Sequence, residues 1–434
     1  MRYAGKVLRW LGTALAAVLF LLVAVFALLQ TQIGKQWLEK EIARSASSPD
    51  FTVTVGRLGG IVPFRMTIER IEIGDRDGVY LTMRDIGVDI SATALLAGQA
   101  HIRSLSIAEI EMARISTARS TKPFTDYLTV PRLPVGVALD RLSIGRLTLA
   151  PPVLGEQLVA ALDGSAELIR ATAHIALDLH RTDGSAGNIT LALELAGAPP
   201  VLSVRLDAAD PTGLLADRLF GRTDRQPLAL ALHGAGPVTD WHGQMSASAG
   251  AVARFDADLT LAAAAKTVLG VSATATLTPL LPAEFAPLAG DPITLSLRAT
   301  FGERLIVNLR SLETAAGTLA GDAEFGRTDK TLVAHLRADL PELARAAPLL
   351  GQPVGGAASL TAEVTGTDDR PRLDLNFSGR GMRLGPSNVE HLEADISASP
   401  TGVLNDPHTR VDIRGQGRII GLALPEQAAA ASGL

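Results

Sequence analysis

Apolar and polar residues alternate with a period of two through most of the chain beyond residue 51. The alternation is clearest over residues 191–195, 228–232, 293–298 and 373–378, where Leu, Ile or Phe occupies every second position. Because successive side chains of a strand point to opposite faces, this pattern predicts strands with one apolar and one more polar face. Turn-forming pairs such as Gly302-Glu303 separate the alternating runs. The pattern therefore predicts a mainly β protein built from many short antiparallel strands.

The small residues between the leucines favour a sheet that bends over on itself. Alanine fills the positions between the leucines of residues 228–232, and a twisted sheet of more than about ten strands curls or splits. Strands joined in one ladder at ~4.7 Å spacing would form a body of the order of 100 Å long. We therefore predict an elongated, curled antiparallel β-sheet whose inner face is an apolar groove, lined by Leu191, Leu193, Leu195, Leu228, Leu230, Leu232, Ile293, Leu295, Leu297, Leu373, Leu375 and Phe377.

Three segments between the strands have a different pattern. Pro211–Phe220, Pro279–Leu288 and Pro341–Leu350 each begin with Pro, are rich in Leu and Ala, and are followed closely by a Gly. Proline suits the first turn of a helix, and glycine suits the residue after its end. We therefore expect a few short helices and a weak internal repeat of the sheet.

An uncharged, almost entirely apolar stretch lies near the N-terminus. Residues Leu11–Leu29 carry no charge, which is enough length at 1.5 Å rise per residue to cross a ~30 Å hydrocarbon core. Basic residues precede this segment at Arg2, Lys6 and Arg9, so the N-terminus is expected to be cytoplasmic. We predict a single-pass transmembrane helix with a membrane anchor at Leu11, Leu15, Leu19, Leu22, Phe26 and Leu29, and with Trp37 at headgroup depth.

The predicted organisation has four parts. They are a cytoplasmic stub (1–10), the transmembrane helix (11–29), a juxtamembrane amphipathic helix (30–48) and a periplasmic β-groove (51–434). The alternative for the N-terminus is a cleaved signal peptide, since Val25-Phe26-Ala27 has the small residues that a cleavage site needs. The apolar stretch is longer than a usual signal core, which favours the anchor. Both alternatives place the bulk of the chain beyond the inner membrane.

The segment at residues 30–48 has the period of an amphipathic helix. Its apolar face is formed by Ile33, Trp37, Leu38 and Ile42, and its polar face by Lys35, Glu39 and Lys40. This helix either lies in the headgroup layer of the membrane or caps the first sheet with its apolar face in the core. The pattern alone favours neither interpretation.

Composition and charge narrow the possible functions. The net charge is -5, with 40 basic and 45 acidic residues, so a basic surface for nucleic acid is not expected. Cysteine is absent, which excludes disulfides, thiolate metal sites and cysteine nucleophiles. The eight histidines have no metal-ligand spacing; His174 and His180 are expected to be solvent-facing on one strand. No carboxylate pair or phosphate-binding glycine motif stands out, and Gly415-Gln416-Gly417 is read as a turn. We expect neither an enzyme nor a cofactor.

The order of features resembles the N-terminal part of the TamB family of AsmA-like proteins. The resemblance rests on an apolar anchor followed by Thr31–Trp37, Phe51–Gly60, Asp75-Arg76-Asp77-Gly78, Leu95–Gly98 and Pro131–Leu149. These motifs match in order and spacing over about residues 1–150. Beyond residue 150, only the general pattern of the sequence is similar.

The resemblance implies a protein of the translocation and assembly module in a diderm bacterium. It implies an inner-membrane anchor, a periplasmic groove of the β-taco type and an outer-membrane barrel partner, TamA. It further implies a part in phospholipid transport between the membranes and in insertion of outer-membrane proteins such as autotransporters. Family members are longer and end in a β-rich domain that engages the barrel, whereas this chain ends in an Ala-rich stretch at Ala428–Ala431. The chain is therefore expected to be a truncated product, a fragment or a short relative.

Three functions are compatible with the apolar alternation. The groove could shelter phospholipid acyl chains, since each buried CH₂ contributes about 0.8 kcal/mol. An exposed strand edge could template a strand of a client barrel by β-augmentation. The third alternative is a passive envelope scaffold, or a truncated family member without transport activity, in which the apolar faces are simply core.

Overall fold

The computed structural model describes residues 26–48, 50–96, 99–117, 137–169, 172–214, 225–264, 266–385, 387–402 and 410–423. These residues fall into two compact units. The first unit contains the described residues up to Gly197 and from Asp207 to Arg225, and the second contains Ala198–Leu206 and those from Gln226 onward. The protein is mainly β, as the alternating pattern predicts.

The described part of the first unit contains nine complete strands and three complete helices. The helices are α1 (Gln32–Ala46), α2 (Ala92–Leu96) and α3 (Pro151–Leu154). The strands are β1 (Thr52–Val55), β2 (Leu58–Ile61), β3 (Arg65–Asp75), β4 (Gly78–Ile90), β5 (Ala100–Met112), β6 (Val137–Leu149), β7 (Leu158–Ile169), β8 (Thr172–Arg181) and β9 (Asn188–Ala196). Strand β10 (Val201–Asp210) has residues in both units.

Neighbours in sequence are neighbours in the ladder of the first unit. Strands β1 and β2 both pair with β3, and pairing then proceeds in chain order to β9. The pair β5–β6 is parallel, whereas the alternation predicts only antiparallel pairs. The physical reason is the long connection between Met112 and Val137, because a parallel pair requires a crossover of a dozen residues or more. Alternation within a strand carries no information on the direction of its neighbour.

The core of the first unit lies under one face of its first strands. Its buried members are Leu58, Val62, Ile68, Ile86 and Ile107. Ile71, Met83 and Ile110 pack against the same cluster, although each is three residues from a buried member. A regular strand would place such residues on opposite faces, and the pairing of β3 with β4 and of β4 with β5 skips the intervening positions. An irregular step in each strand keeps the apolar residues on one side.

Helix α1 begins with Thr31 as its N-cap, whose hydroxyl accepts a hydrogen bond from the backbone N–H of Gly34. The helix packs on β1 and β2. Gly34 is buried, and a Cβ there would collide with the backbone carbonyl of Leu28. The predicted helix at residues 30–48 thus forms, with only its ends adjusted.

Most of the predicted transmembrane helix lies outside the described residues. This applies to residues 11–25, and with them to Leu11, Leu15, Leu19 and Leu22. Within the described part of the chain, no helix has the length and apolar character needed to cross a membrane. Leu29, which we predict to be in the bilayer, packs against the core cluster of the first unit. An uncharged stretch does not by itself distinguish a leucine that faces lipid from one that contacts a sheet.

The second unit carries the strands from β11 onward. They are β11 (Leu228–Pro237), β12 (Trp241–Ala249), β13 (Ala253–Ala263), β14 (Thr267–Thr276), β15 (Ile293–Phe301), β16 (Arg304–Thr314), β17 (Gly317–Gly326), β18 (Thr331–Leu340), β19 (Val354–Thr367), β20 (Arg370–Leu384), β21 (Ser387–Pro400) and β22 (Val411–Ala423). Each pairs with the next in antiparallel fashion.

The short helices lie where the Pro-to-Gly segments predict them. A 3₁₀ turn (Thr278–Leu280) and α4 (Ala286–Ala289) overlap one segment and extend one residue beyond it at each end, and a 3₁₀ turn (Leu343–Ala346) and α5 (Ala347–Leu350) fall within another. Gly351 ends α5 in the left-handed region, with φ 64°. In the third segment, residues 215–220 lie outside the described part of the chain.

Candidate functional site: the apolar sheet face

The second unit presents one continuous apolar face across its twelve strands. The central row of this face runs through directly opposed partners from β11 to β20: Leu232, Met245, Ala257, Ala273, Leu295, Leu312, Leu319, Ala338, Leu360 and Phe377. Directly opposed residues of an antiparallel pair point to the same side of a sheet. The register therefore brings the predicted groove residues of β11, β15 and β20 onto a single face.

Parallel rows widen this face on both sides. Leu297 and Leu375 lie on one row, connected through Leu309, Gly321, Leu336 and Ala362. Leu373 lies on the next row with Val364, Ala334, Ala323 and Val307. Leu230 and Ile293 share a row through Ala247, Phe255 and Ala275. Leu228 occupies the same parity of β11.

The burial along this face is the reverse of that in a two-layer core. All predicted groove residues of the second unit are half-buried, while Ala257, Ala273, Ala275 and Ala299 are buried between them. In a sheet packed under a second layer, the largest apolar side chains would be the most enclosed. Here the alanines are covered by the longer side chains beside them, and the ends of the leucine side chains remain accessible to solvent. The face is therefore largely uncovered by the described residues.

One rim of the face is closed. Leu343 in the 3₁₀ turn packs with Ala358, Met382 and Val389, and these four residues form a buried cluster. This cluster is a packed part of the second unit, and it provides an internal comparison for the half-buried leucines.

The opposite face of the second unit is polar and carries ion pairs within single strands. Examples are Arg254–Asp256, Arg337–Asp339, Arg372–Asp374 and Asp412–Arg414. The hydrogen bond from Arg372 lowers the pKa of Asp374, and Arg254 lowers that of Asp256 in the same way. Exposed pairs of this kind contribute little to stability, because water screens their charges. They identify the face that meets water.

The first unit has an apolar face of the same kind. Leu191, Leu193 and Leu195 of β9 oppose Leu177, Ile175 and Ala173 of β8. The three leucines are half-buried. The row of directly opposed residues that contains Leu193 continues through Ile175 and Ala166 to Leu139 of β6. The predicted groove residues of β9 thus lie on an extended apolar face of the first unit.

The outward side of helix α1 carries exposed apolar side chains. Ile33 is 78% exposed and Trp37 is 59% exposed, while Leu38 packs against the core cluster. The nearby Leu28 is also exposed, and Phe26 contacts the ring of Phe64 at 5.9 Å between centroids. The apolar residues predicted to share one face are thus divided between the core and the surface. Neither of the two simple interpretations of this helix describes all of them.

Sequence reasoning missed the role of the polar residues in this region. Lys35 donates a hydrogen bond to the carbonyl of Gly60 at 2.9 Å, and Glu39 accepts one from the N–H of Leu58 at 2.6 Å. Gln30 pairs with both the carbonyl and the N–H of Val62, at 2.6 and 3.2 Å. These groups lie on the edge of β2 that faces away from β3. The pattern predicts a solvated face for Lys35 and Glu39, whereas an edge strand presents polar backbone groups that polar side chains can satisfy.

The loops hold a second polar cluster around Asp75. Its carboxylate accepts hydrogen bonds from the Arg114 guanidinium, the Ser116 hydroxyl and the Thr117 backbone N–H. The hydrogen bond from Arg114 holds the pKa of Asp75 well below its usual range. This arrangement joins the β3–β4 turn to the segment after β5, and its chemistry is that of a structural ion pair.

The described residues offer little for metal chemistry. No three of the His, Asp and Glu side chains that the structure describes lie close enough together to hold a metal ion. His174 and His180 are both exposed.

No family model matches the sequence, and neither a curated protein nor a solved structure gives a significant match.

Proposed function

We propose that this protein is a periplasmic β-groove protein that shelters the acyl chains of phospholipids as they pass between the inner and outer membranes. The observation that carries the proposal is the apolar face of the second unit, on which a row of directly opposed apolar residues crosses ten consecutive strands and its leucines are only half-buried. Similar shallow sites in a row allow a chain to slide, because no single position holds it deeply. The elongated, curled groove and the TamB-like role predicted from the sequence belong to this proposal.

We further propose that the apolar segment beginning at Leu11 anchors the chain in the inner membrane, with the N-terminus in the cytoplasm. The basic residues Arg2, Lys6 and Arg9 support this orientation. The exposed Ile33 and Trp37 support a position of α1 at the membrane surface, because tryptophan is favoured at the headgroup level. An outer-membrane barrel such as TamA is the partner implied by the resemblance.

The test is direct. The full chain is purified from membranes in mild detergent, and bound phospholipid is quantified by mass spectrometry after extensive washing. We expect phospholipid to remain bound in amounts above those of a single-pass protein of similar size. Bound lipid equal to that control would overturn lipid handling and leave the passive scaffold as the better account.

A second candidate function is assembly of outer-membrane proteins by β-augmentation. Within the described residues, β22 pairs on one side only, with β21, and all of its residues are exposed. An unpaired edge of this length can accept an extended chain through main-chain hydrogen bonds. Photo-crosslinkers placed at exposed positions of β22 should capture nascent outer-membrane barrel strands in cells; crosslinks to none of them would exclude this candidate.

A further inference from the structure

The helical connections of the second unit recur after every fourth strand. One follows β14 and contains α4, and the next follows β18 and contains α5. We call them rim segments, at residues 277–290 and 341–351. Because each described pair in this unit is antiparallel, strands four apart run in the same direction and end at the same rim of the sheet. The end of β22 therefore lies on the rim that carries both rim segments.

The two rim segments end in the same sequence pattern. Ala286-Pro287-Leu288-Ala289-Gly290 in the first corresponds to Ala347-Pro348-Leu349-Leu350-Gly351 in the second. In each, the proline lies in the first turn of the short helix, and the glycine ends the helix with a positive φ, of 57° and 64° respectively. Leu288 and Leu349 are therefore equivalent positions of one repeated unit.

Helix α4 is held over the ends of the strands that follow it. In the β16–β17 turn, the backbone N–H groups of Ala315 and Ala316 donate hydrogen bonds to the carbonyls of Ala289 and Leu288, at 2.9 and 3.1 Å. The 3₁₀ turn of the next rim segment, Leu343–Ala346, also lies beside α4, and Leu288 is half-buried. The first turn of one rim segment thus packs beside the helix of the preceding one.

The described residues place no third rim segment beside α5. Leu349 is 46% exposed and Leu350 is 54% exposed, whereas Leu288, the equivalent of Leu349, is half-buried. The N–H of Gly385 in the β20–β21 turn donates a hydrogen bond to the carbonyl of Pro353 at 2.9 Å, so the second rim segment is held to the sheet much as the first is. What differs is the first turn of a following segment.

The sequence after β22 has the pattern that opens a rim segment. Leu424-Pro425-Glu426 repeats Leu340-Pro341-Glu342, and Gly433 follows an Ala-rich run. A proline near the start and a glycine at the end are what the two rim segments share. These residues lie outside the described part of the chain. They come directly after the fourth strand that follows α5, which is the position that the repeat assigns to a third rim segment.

The length and the chemistry of this sequence fit the surface of α5. Two strand spacings, about 10 Å, separate β22 from β20, and four extended residues span about 13 Å. Alignment on Leu-Pro-Glu places Gln427–Ala430 at the positions of Leu343–Ala346, the turn that lies beside α4. Gln427 stands where Leu343 is buried, so the alanines supply the apolar contact. Burial of their methyl groups against leucine side chains is favourable.

We propose that Leu424–Gly433 is a third rim segment, and that Ala428–Ala430 cover Leu349 and Leu350 of α5. The partner of this exposed apolar surface is therefore a segment of the same chain. The inference goes beyond the proposed function and does not depend on lipid binding. It extends the closed rim of the second unit to the end of β22.

Disulfide scanning tests the inference, because the full chain has no native cysteine. Leu349→Cys is combined in turn with Ala428→Cys, Ala429→Cys and Ala430→Cys, and each double variant is oxidised mildly in detergent. We expect at least one combination to give a crosslinked monomer on a non-reducing gel, with the linked tryptic peptides identified by mass spectrometry. Neighbouring groups in one chain have an effective concentration in the millimolar range, so at about 1 µM protein this crosslink should form about a thousandfold faster than one between chains.

Two sets of variants calibrate the scan. The positive set probes the described neighbourhood of α4 and combines Leu288→Cys with the residues aligned to the three alanines, as Ala344→Cys, Arg345→Cys and Ala346→Cys. At least one of these combinations should crosslink. The negative pair is Asp322→Cys with Ala429→Cys, because Asp322 lies on the polar face of β17. This pair should remain unlinked.

Maleimide labelling of Leu349→Cys gives a second measurement that does not depend on disulfide geometry. Ala429→Asp should raise the labelling rate about tenfold, because a carboxylate is not buried against leucines without cost. An unchanged rate would contradict docking of the segment. Crosslinks that form only between chains, at a rate that rises with protein concentration, would mean that a second copy covers α5 and would overturn the inference. It would equally fail if no Leu349 combination linked while a Leu288 combination did.

Discussion

The Glu39 carboxylate of helix α1 accepts a hydrogen bond from the backbone N–H of Leu58, at 2.6 Å. Leu58 is one of the most enclosed residues of the first unit, 3% exposed. A helix side chain therefore satisfies a backbone group on the open edge of β2. With Lys35 and Gln30, it closes that edge to any further strand.

Glu39→Ala should destabilise the first unit by about 1–3 kcal/mol, because it leaves an enclosed backbone N–H without an acceptor. Denaturant unfolding of the full chain in detergent measures the loss. Glu39→Gln retains an acceptor oxygen and should lose less. Glu41→Ala, which removes an exposed pair with Arg44, should change stability by less than about 1 kcal/mol. Equal effects of Glu39→Ala and Glu41→Ala would contradict the edge-cap role.

Leu295→Asp should leave the second unit folded and reduce lipid binding. Leu295 stands half-buried on the open face, where a carboxylate can remain hydrated while it repels acyl chains. Val389→Asp places the same group in the closed cluster and should cost several kcal/mol. Ser296→Asp, on the opposite face, should affect neither property. Unfolding of Leu295→Asp to the same degree as Val389→Asp would mean that a layer covers this face.

Gly243→Ala should destabilise the start of the second unit by about 1–3 kcal/mol through overpacking. Trp241 is 6% exposed and its indole ring lies over Gly243 and Gly234. A Cβ at residue 243 would be too close to the ring, so the ring must shift. Gly302→Ala, where the nearest atom to an added Cβ lies at 3.7 Å, is the matched control. Urea unfolding compares the two; equal stability would show that the ring has space to move.

The acid stability of the first unit should depend on Asp183. The Arg181 guanidinium, 2.9 Å away, lowers the pKa of Asp183 to about 2 from its ordinary value of 3.8. A carboxyl whose pKa is lowered by folding stabilises the protein above its unfolded value and loses that contribution as pH falls toward its folded value. Stability should therefore decline between about pH 4 and pH 2. In Asp183→Asn the decline over this range should be shallower, as measured by denaturant titrations at fixed pH. An unchanged slope would refute the assignment.

The position of α1 at a membrane can be measured with a single label, because the chain has no native cysteine. Trp37→Cys carrying an environment-sensitive fluorophore should show a blue-shifted emission when the full chain is placed in a lipid nanodisc. The same fluorophore on Asp178→Cys, on the polar face of β8, should show the emission typical of an aqueous environment. Identical emission at the two sites would place α1 away from the bilayer.

Much of the architecture follows from the sequence because one simple signal dominates it. Period-two alternation identifies the strands, and the leucines of β11, β15 and β20 are indeed on one face. The parallel pairing of β5 with β6 and the irregular steps that keep Ile68 and Ile71 on one cluster could not be predicted. Strand direction depends on a connection, and a step depends on neighbours far away in sequence.

The candidate site was likewise only partly predictable from the sequence. The apolar residues were predictable one by one, but their exposure was not, since alternation is identical in a packed core and in an open face. The polar residues that lie together across β5 to β8 were missed because they are distributed over four strands between Gln99 and His174. Only the register brings Glu167 beside His174 and leaves Ala138 between His101 and Glu167.

The sealed edge of β2 has a counterpart in polymer chemistry, where a terminated chain end adds no further monomer. Strand addition requires a row of unused donors and acceptors, and on β2 Gln30, Lys35 and Glu39 occupy it. On β22 the described residues leave such a row unoccupied. A foreign strand is therefore better accommodated at the edge of β22 than at the edge of β2, and the two edges are unequal as templates.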